Sequence, residues 1–282
     1  MRRMTSAFSV VLGVVIPVAL LAQAATVPPT FNVITVFRET VKPGKASAHD
    51  AHEIAWAGAV AAAKPPNGFL AASAMTGPAE NWYLSPYGTW ADYEKANKAN
   101  EASPALAAIQ KRYASMEGEY LSDGRMMVLT AAPELSYGEP ADLGASRYFS
   151  VTRVTVRPGH NAEYEESRRI IKAAHQSAKL KDSFSIWRVA AGVPAGTYYQ
   201  FVARKSLGEI DEGAAIHGAA YQAALGGPDG QKKLDALAAS AVITSQVDHF
   251  AFAPQQSIPP PEWVKADPGF WARKPLPVKK TQ

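Results

Sequence analysis

The chain contains 282 residues, of which 47% are hydrophobic, with 20 glycines, 21 prolines, no cysteine and a formal net charge of +4. This is the composition of a globular protein, and the length allows one large domain or two of roughly 130 residues. Without cysteine the protein cannot use a disulfide scaffold, a cysteine nucleophile, a thiolate zinc site or an iron–sulfur cluster.

The surplus of positive charge is concentrated at the two ends of the chain. Residues 1–25 and the tail from residue 258 carry most of it, whereas the segment between them is close to neutral. No six-residue window is dominated by Lys and Arg, so we expect no nucleic-acid partner.

Residues 1–25 have the pattern of a secretory signal peptide. Arg2 and Arg3 precede an uncharged apolar run over residues 7–21, and Ala22-Gln23-Ala24 provides a small-x-small cleavage site. The run is short for a membrane span. We therefore predict a periplasmic or secreted protein with no membrane contact after cleavage; the alternative is an uncleaved N-terminal anchor.

The segment after the signal predicts a first half over residues 26–137. A strand over 33–41 ends at a Pro-Gly turn and is followed by a helix over 46–63. Two strands joined by a turn, a second helical region and a last strand complete this half, at residues 69–75, 82–87 and 126–131 for the strands.

The same pattern then returns in a second half, residues 147–257, after a linker at 138–146. The sequence VFRETVKPG at residues 36–44 is repeated as VTRVTVRPG at 151–159, and the same shift aligns Tyr83 with Tyr198. Each half predicts the order β-α-β-β-α-β, the ferredoxin-like unit. The fold class is thus α+β, with two tandem ferredoxin-like units that pair into one intramolecular α/β-barrel.

The Pro-Gly turn before a helix, in a duplicated unit of this order, resembles the dimeric α/β-barrel superfamily. Residues 206–211 and the Phe270-Trp271 pair are also similar to exported bacterial members of unassigned function, and we expect a NIPSNAP-like protein. The resemblance implies a barrel with helices outside, as a monomeric pseudo-dimer or a homodimer. The superfamily includes cofactor-free monooxygenases, isomerases, haem-dependent chlorite dismutases and dye peroxidases, so the resemblance leaves the activity open.

Period-two alternation in the first strand of each half directs Arg38 and Arg153 into the barrel, with Thr40 and Thr155 beside them. Two guanidinium groups near a pseudo-twofold axis could bind a carboxylate or another anion, and we name both arginines as catalytic candidates. The alternative is that each arginine lies at the rim or pairs with an internal carboxylate such as Asp248.

Aromatic residues in the middle strands provide candidates for ligand contact. We predict that Tyr83, Trp187 and Tyr198 line a pocket for a flat ligand, together with Thr40 and Thr155. The alternative is ordinary core packing, because aromatic residues are common in strands.

Three histidines could carry chemistry. His249 in the last strand is a candidate acid–base group or axial haem ligand. His49, His52 and the adjacent Glu53 occupy helical positions i, i+3 and i+4, which allows either a metal site or a buried polar pair that hydrogen-bonds to Glu39.

The chain has no phosphate-binding glycine loop, zinc-protease helix, nucleophile elbow or EF-hand loop, so we expect no cofactor and no metal. We predict a small-molecule pocket between the two sheets, for an apolar, aromatic or anionic ligand, with monooxygenase- or isomerase-like chemistry. The alternatives are a haem- or metal-dependent oxidoreductase and a non-catalytic interaction protein. The proline-rich tail, residues 258–282, should lie across the barrel without forming a regular helix.

Overall fold

The computed structural model describes residues 31–274, apart from the side chains of residues 214 and 215. The predicted signal peptide lies outside the described residues. The first half contains four strands and three helices: β1 Val33–Val41, α1 Ala46–Ala62, β2 Leu70–Ala74, β3 Glu80–Tyr87, α2 Trp90–Glu101, α3 Pro104–Tyr120 and β4 Leu121–Ala131.

The second half repeats this order, with an additional helix before its last strand. Its elements are β5 Tyr148–Val156, α4 Asn161–Ala178, β6 Ser185–Ala191, β7 Thr197–Arg204, α5 Glu209–Ile216, α6 Ala219–Leu225, α7 Gly227–Ala241 and β8 Val242–Phe252. A 3₁₀ turn at Pro254–Gln256 and two short helices, α8 Pro261–Ala266 and α9 Pro268–Trp271, follow.

The eight strands close into one antiparallel barrel in the order β1-β3-β2-β8-β5-β7-β6-β4. Each half contributes a four-stranded sheet with its first and third strands in the middle, and the halves meet at β2·β8 and β4·β6. This confirms the predicted fold class of two ferredoxin-like units forming one barrel. Because both seams lie within one chain, the chain completes the barrel alone.

The repeat is not in register over its whole length. Arg38 lies opposite Trp82, and the equivalent Arg153 lies opposite Tyr199. The shift in residue number that relates the two halves is therefore two residues larger for their third strands, β3 and β7, than for their first strands, β1 and β5. The extra residues lie in the turn before β7. The alignment of Tyr83 with Tyr198 is therefore wrong by two residues, although an even offset leaves both on the same face.

Side chains fill most of the space between the two sheets. Phe149 and Phe250 stack with ring centroids 5.1 Å apart, and Trp82 lies 4.6 Å from Phe250. The remaining buried side chains of this core come from every strand, and include Val36, Met127, Leu129, Val151, Trp187, Tyr199 and Phe252.

The tail packs across one end of the barrel. Trp271 is 1% exposed, donates from its indole nitrogen to the Gly144 carbonyl at 2.8 Å and belongs to the barrel core. Arg147 pairs with Asp267 and lies over the Phe270 ring. The expectation that prolines exclude a helix here is wrong for α8 and α9, because in each the proline occupies the first turn, where no N–H is needed.

None of the helices within residues 31–274 is both long and apolar enough to cross a membrane.

Candidate functional site

The two predicted arginines meet at the barrel end opposite the tail. Arg38 forms a bidentate ion pair with Glu80, with contacts of 2.6 and 2.8 Å from Nη2, and Trp82 donates to the same carboxylate at 2.8 Å. Arg153 instead donates to the Gln246 amide oxygen at 2.7 Å. The cavity between them has a volume of about 70 Å³.

That cavity is too small for the aromatic ligand predicted between the sheets. About 70 Å³ holds only a few water molecules, whereas pockets for organic ligands span about 300 to 1,000 Å³. Thr40 and Thr155 are half-buried on the same strands but are not among the residues that line it. The barrel interior is thus a packed core with a small polar cavity at one end. The structure corrects the prediction of an aromatic pocket between the sheets, because core side chains fill that space.

The predicted ligand-contact aromatics divide between the two faces of the sheets. Trp187 lies in the barrel core. Tyr83 and Tyr198 project to the opposite, helix-facing side: Tyr198 donates to Glu165 at 3.0 Å, and Tyr83 donates to Gln256 at 3.4 Å. Strand alternation separates them from the interior, so they cannot line a pocket between the sheets.

His249 is also on the outside of the barrel. Its Nδ1 lies 2.9 Å from the hydroxyl of Ser150, which also accepts a hydrogen bond from Arg204 at 3.2 Å. The structure therefore does not bring His249 together with Arg38 and Arg153.

The densest group of buried ionisable side chains lies between the first sheet and α1. We call Glu39, His49, His52, Glu53 and Asn81 the helix-facing polar cluster. All five are at most 7% exposed. β1 and β3 contribute Glu39 and Asn81, and successive turns of α1 contribute the other three because positions i, i+3 and i+4 share one helix face.

Short contacts connect the cluster. His49 Nε2 lies 2.9 Å from Glu39 Oε2 and 3.8 Å from Glu53 Oε1, and His52 Nε2 lies 3.9 Å from the same Glu53 oxygen. On its other side, His49 Nδ1 lies 3.4 Å from the Asn81 amide nitrogen. The predicted hydrogen bond between Glu39 and this helix is confirmed.

Burial and mutual charge shift the titration of these groups. Burial raises the pKa of Glu53 to about 7, and the neighbouring Glu39 charge adds to the effect. Burial lowers the pKa of His49, but the hydrogen bond and charge of Glu39 outweigh it, so the net pKa is raised. Burial lowers the pKa of His52, and the His49 charge contributes.

Aromatic rings surround the cluster. Trp56, Phe69 and Tyr83 form a wall with ring centroids 5.2 to 6.0 Å apart, and Trp56 and Phe69 are half-buried. On the other side of the cluster, the centroid of the His52 ring lies 5.1 Å from that of Tyr113 and 5.2 Å from that of Tyr120.

The second half has no such cluster at the equivalent positions. Val154, Tyr164, Ser167 and Arg168 replace Glu39, His49, His52 and Glu53. The polar cluster is thus a property of one copy of the duplicated unit rather than of the fold.

The sequence indicated most of this cluster but not its completion. His49, His52, Glu53 and Glu39 are recognisable from spacing, whereas Asn81 and Gln256 come from distant segments. The only available signal for Asn81 was a polar residue on the helix-facing side of an otherwise apolar strand.

Comparison with known proteins identifies the fold. No family model matches the chain, and no curated protein does, so the NIPSNAP part of the resemblance finds no support. A candidate monooxygenase from Fusobacterium nucleatum superposes with a TM-score of 0.52 at 10% identity, over 79% of this chain and 93% of that one.

Two further solved structures are similar. An anthrone oxidase-like protein superposes with a TM-score of 0.52 at 13% identity, over 79% and 92% of the two chains. A chlorite dismutase from Candidatus Nitrospira defluvii reaches a TM-score of only 0.45 at 10% identity, over 84% and 95%. At these identities the first two similarities establish the ferredoxin-like barrel and leave the activity to the site itself.

Proposed function

We propose that this protein is an exported, monooxygenase-like oxidoreductase that oxidises a small aromatic substrate at the helix-facing polar cluster. The observation that carries the proposal is the convergence of Glu39, His49, His52 and Glu53 at one buried position. Burying so many ionisable groups costs stability, and such costs are concentrated at functional sites.

The asymmetry between the halves supports a functional origin. The same fold position in the second half is built from Val154, Tyr164, Ser167 and Arg168, so the barrel does not need a His–Glu cluster to fold. The first half has the His–Glu cluster although the second half shows that other side chains can fill the same position.

The aromatic wall supports the substrate class. Trp56 and Phe69 are half-buried and adjoin the cluster through Tyr83, which offers a flat apolar surface beside the polar groups. His49 and Glu39 are only 1% and 2% exposed, so an aromatic substrate on this wall would reach them only if the wall opened. The proposed site therefore lies between the first sheet and its helices, whereas the sequence predicted a site between the two sheets.

A carboxylate–imidazole pair suits an oxidation that begins with loss of a proton from carbon. For a methylene flanked by two aromatic rings, oxidation to a carbonyl removes four electrons. One O₂ accepts them: one oxygen atom becomes the new carbonyl and the other leaves as water with the two hydrogens. Substrate and O₂ balance, so this reaction needs no external reductant.

Export is part of the proposal and is supported by the charged start, apolar run and cleavage pattern of residues 1–25. Expression of the full chain followed by periplasmic fractionation tests it. We expect protein that has lost residues 1–25 in the periplasm; cytoplasmic or membrane-retained full-length protein would contradict export.

Oxygen uptake with anthrone as the probe tests the activity. We expect the wild-type protein to consume one O₂ per anthrone oxidised, and we expect His49→Asn to lower the rate by about 100-fold or more. His249→Gln, on the outer face of the other half, is the matched control and should keep the wild-type rate. Uptake no faster than without protein, or an undiminished rate in His49→Asn, would overturn the proposal.

A further inference from the structure

We propose that the helix-facing polar cluster binds one divalent transition-metal ion, through Nε2 of His49, Nε2 of His52 and one carboxylate oxygen each from Glu39 and Glu53. The inference rests on the proposed function in that it names a group for the same site. It has its own evidence and its own test.

Three of the four donor atoms already lie close to one another. One donor atom from each of Glu39, His49 and Glu53 forms a group whose members all lie within 4.8 Å of one another. Two atoms bound to one ion at about 2.1 Å can be at most about 4.2 Å apart. The 2.9 and 3.8 Å contacts of His49 with Glu39 and Glu53 are within this limit, whereas His52, 3.9 Å from Glu53, lies outside the group and must rotate towards it to bind the same ion.

His52 provides an independent indication. Its side chain is 3% exposed, and its Nε2 has no hydrogen-bond partner in the part of the chain that the structure describes. This nitrogen points to Glu53 Oε1 from 3.9 Å, beyond hydrogen-bonding distance. A buried ring nitrogen without a partner is unfavourable, and a metal ion would satisfy its lone pair.

The charge of the cluster also favours a cation. Glu39 and Glu53 are both buried, and neither has a Lys or Arg within ion-pairing distance among residues 31–274; their ionic neighbours are His49 and His52 alone. Buried carboxylates are usually paired with a cation or bound to a metal.

A second layer of polar groups can hold the His49 ring. Asn81 lies 3.4 Å from His49 Nδ1 and is itself within 3.3 Å of the Gln256 side-chain oxygen. Both contacts use the Asn81 amide nitrogen, so Asn81 and Gln256 hold the His49 ring with Nδ1 as the acceptor, and Nε2 must give up its proton when the ion binds.

The donor types narrow the choice of metal. Two imidazole nitrogens and two carboxylate oxygens, without sulfur, suit Mn²⁺, Fe²⁺, Co²⁺ or Zn²⁺ and do not favour Cu⁺. A bound ion of this kind can act as a Lewis acid on a substrate oxygen and so acidify the neighbouring C–H, which would replace the activation that the proposed function assigns to the metal-free His49–Glu39 pair.

A second group of donors provides a control within the same chain. His175, Asp182 and His217 also lie within metal-binding reach of one another, but Asp182 is only half-buried and His217 is exposed. We expect the ion to prefer the four-donor buried cluster, since more charged ligands with less access to water bind more tightly.

Calorimetric titration of the chelator-treated protein with Zn²⁺ tests the proposal. We expect one tightly bound ion per chain, with affinity lowered at least about 100-fold in His52→Ala and unchanged in His217→Ala. His52→Gln keeps the side-chain volume and serves if the alanine variant does not fold; thermal melts confirm folding of each variant. Titration with Co²⁺ should give visible absorption from nitrogen and oxygen coordination that the His52 variants lose.

No tight binding by the wild-type protein would overturn the metal proposal, as would wild-type affinity in a folded His52 variant or loss of binding in His217→Ala. These outcomes separate it from the proposed function. A protein that binds no ion yet loses oxygen uptake in His49→Asn refutes only the metal site. One that binds the ion through His52 but oxidises anthrone equally well as His49→Asn refutes only the proposed function.

Discussion

The helix-facing sides of the two halves are built from equivalent elements but hold different ionisable groups. In the first half, α1 packs His49, His52 and Glu53 against the sheet. In the second half, α4 places Tyr164 against Tyr198 with ring centroids 4.5 Å apart. The first half holds a His–Glu cluster at this position, whereas the second half holds two tyrosines and Arg168, which donates to Gln200.

The barrel interior did not diverge in this way. Val36 and Val151 are both buried in the interior core, and Arg38 and Arg153 both line the small end cavity. Each sheet needs the other to bury its interior face, so changes there affect both halves at once. The helix-facing side of each half is covered by its own helices and can specialise independently. Duplication thus leaves one half free to hold a costly polar site.

The largest expected effect on stability comes from removing a buried tyrosine from the helix-facing side of the second half. Tyr164→Ala removes a ring that is 5% exposed, so we expect the free energy of unfolding to fall by about 3 to 5 kcal/mol. Oxygen uptake per folded molecule should stay at the wild-type value, measured alongside urea denaturation. If Tyr164→Ala lowers this rate as strongly as His49→Asn does, the division of roles between the halves is wrong.

A smaller effect compares the equivalent arginines at the barrel end. Arg38→Ala leaves the Glu80 carboxylate, whose side chain is 11% exposed, without its guanidinium, and we expect a loss of about 2 to 3 kcal/mol. Arg153→Ala removes a hydrogen bond to an uncharged amide and should cost about 1 kcal/mol. Urea denaturation of both variants checks the difference. Equal losses would mean that the ion pair contributes no more than the amide contact.

Helix capping provides the next comparison. Ser103 caps α3 by accepting from the Leu106 N–H, whereas α5, α6 and α7 of the second half have no side-chain cap. Ser103→Ala should lower the free energy of unfolding by about 1 kcal/mol. Ser240→Ala, within α7, is the control and should change it by less than about 0.5 kcal/mol. A similar loss in both variants would argue against a specific capping contribution.

The smallest expected effect concerns His249, which the sequence suggested as a catalytic residue. It lies on the outer face of β8, beside Ser150 and away from the polar cluster. His249→Gln should leave metal affinity unchanged and shift the thermal midpoint only slightly. Loss of metal binding in this variant would transfer the functional site to the second half.

The sequence was sufficient for the fold because the Pro-Gly turns and the strand periodicity are local signals, and the repeat shows that the same order of elements occurs twice. It also placed Arg38 and Arg153 inside the barrel, since alternation along one strand is independent of the rest of the chain. It could not show that side chains such as Trp82, Phe149 and Phe250 fill the interior, because filling depends on three strands from both halves meeting across the barrel.

Only part of the candidate site could be predicted from the sequence, for the same reason. Spacing along α1 identified His49, His52 and Glu53, but their burial depends on α3, which supplies Tyr113 and Tyr120 over the His52 ring. The contribution of Gln256 depends on the chain returning from β8 to the first half. Such contacts between distant segments leave no periodic trace in one sequence.

The most direct test of the central claim is the location of an aromatic ligand in crystals of the protein. Crystals soaked with a brominated aromatic probe should show one anomalous bromine peak beside Trp56 and Phe69, next to the helix-facing polar cluster. A peak between the sheets near Arg38 and Arg153, or beside Tyr164 in the second half, would contradict the claim that the first half alone carries the functional site.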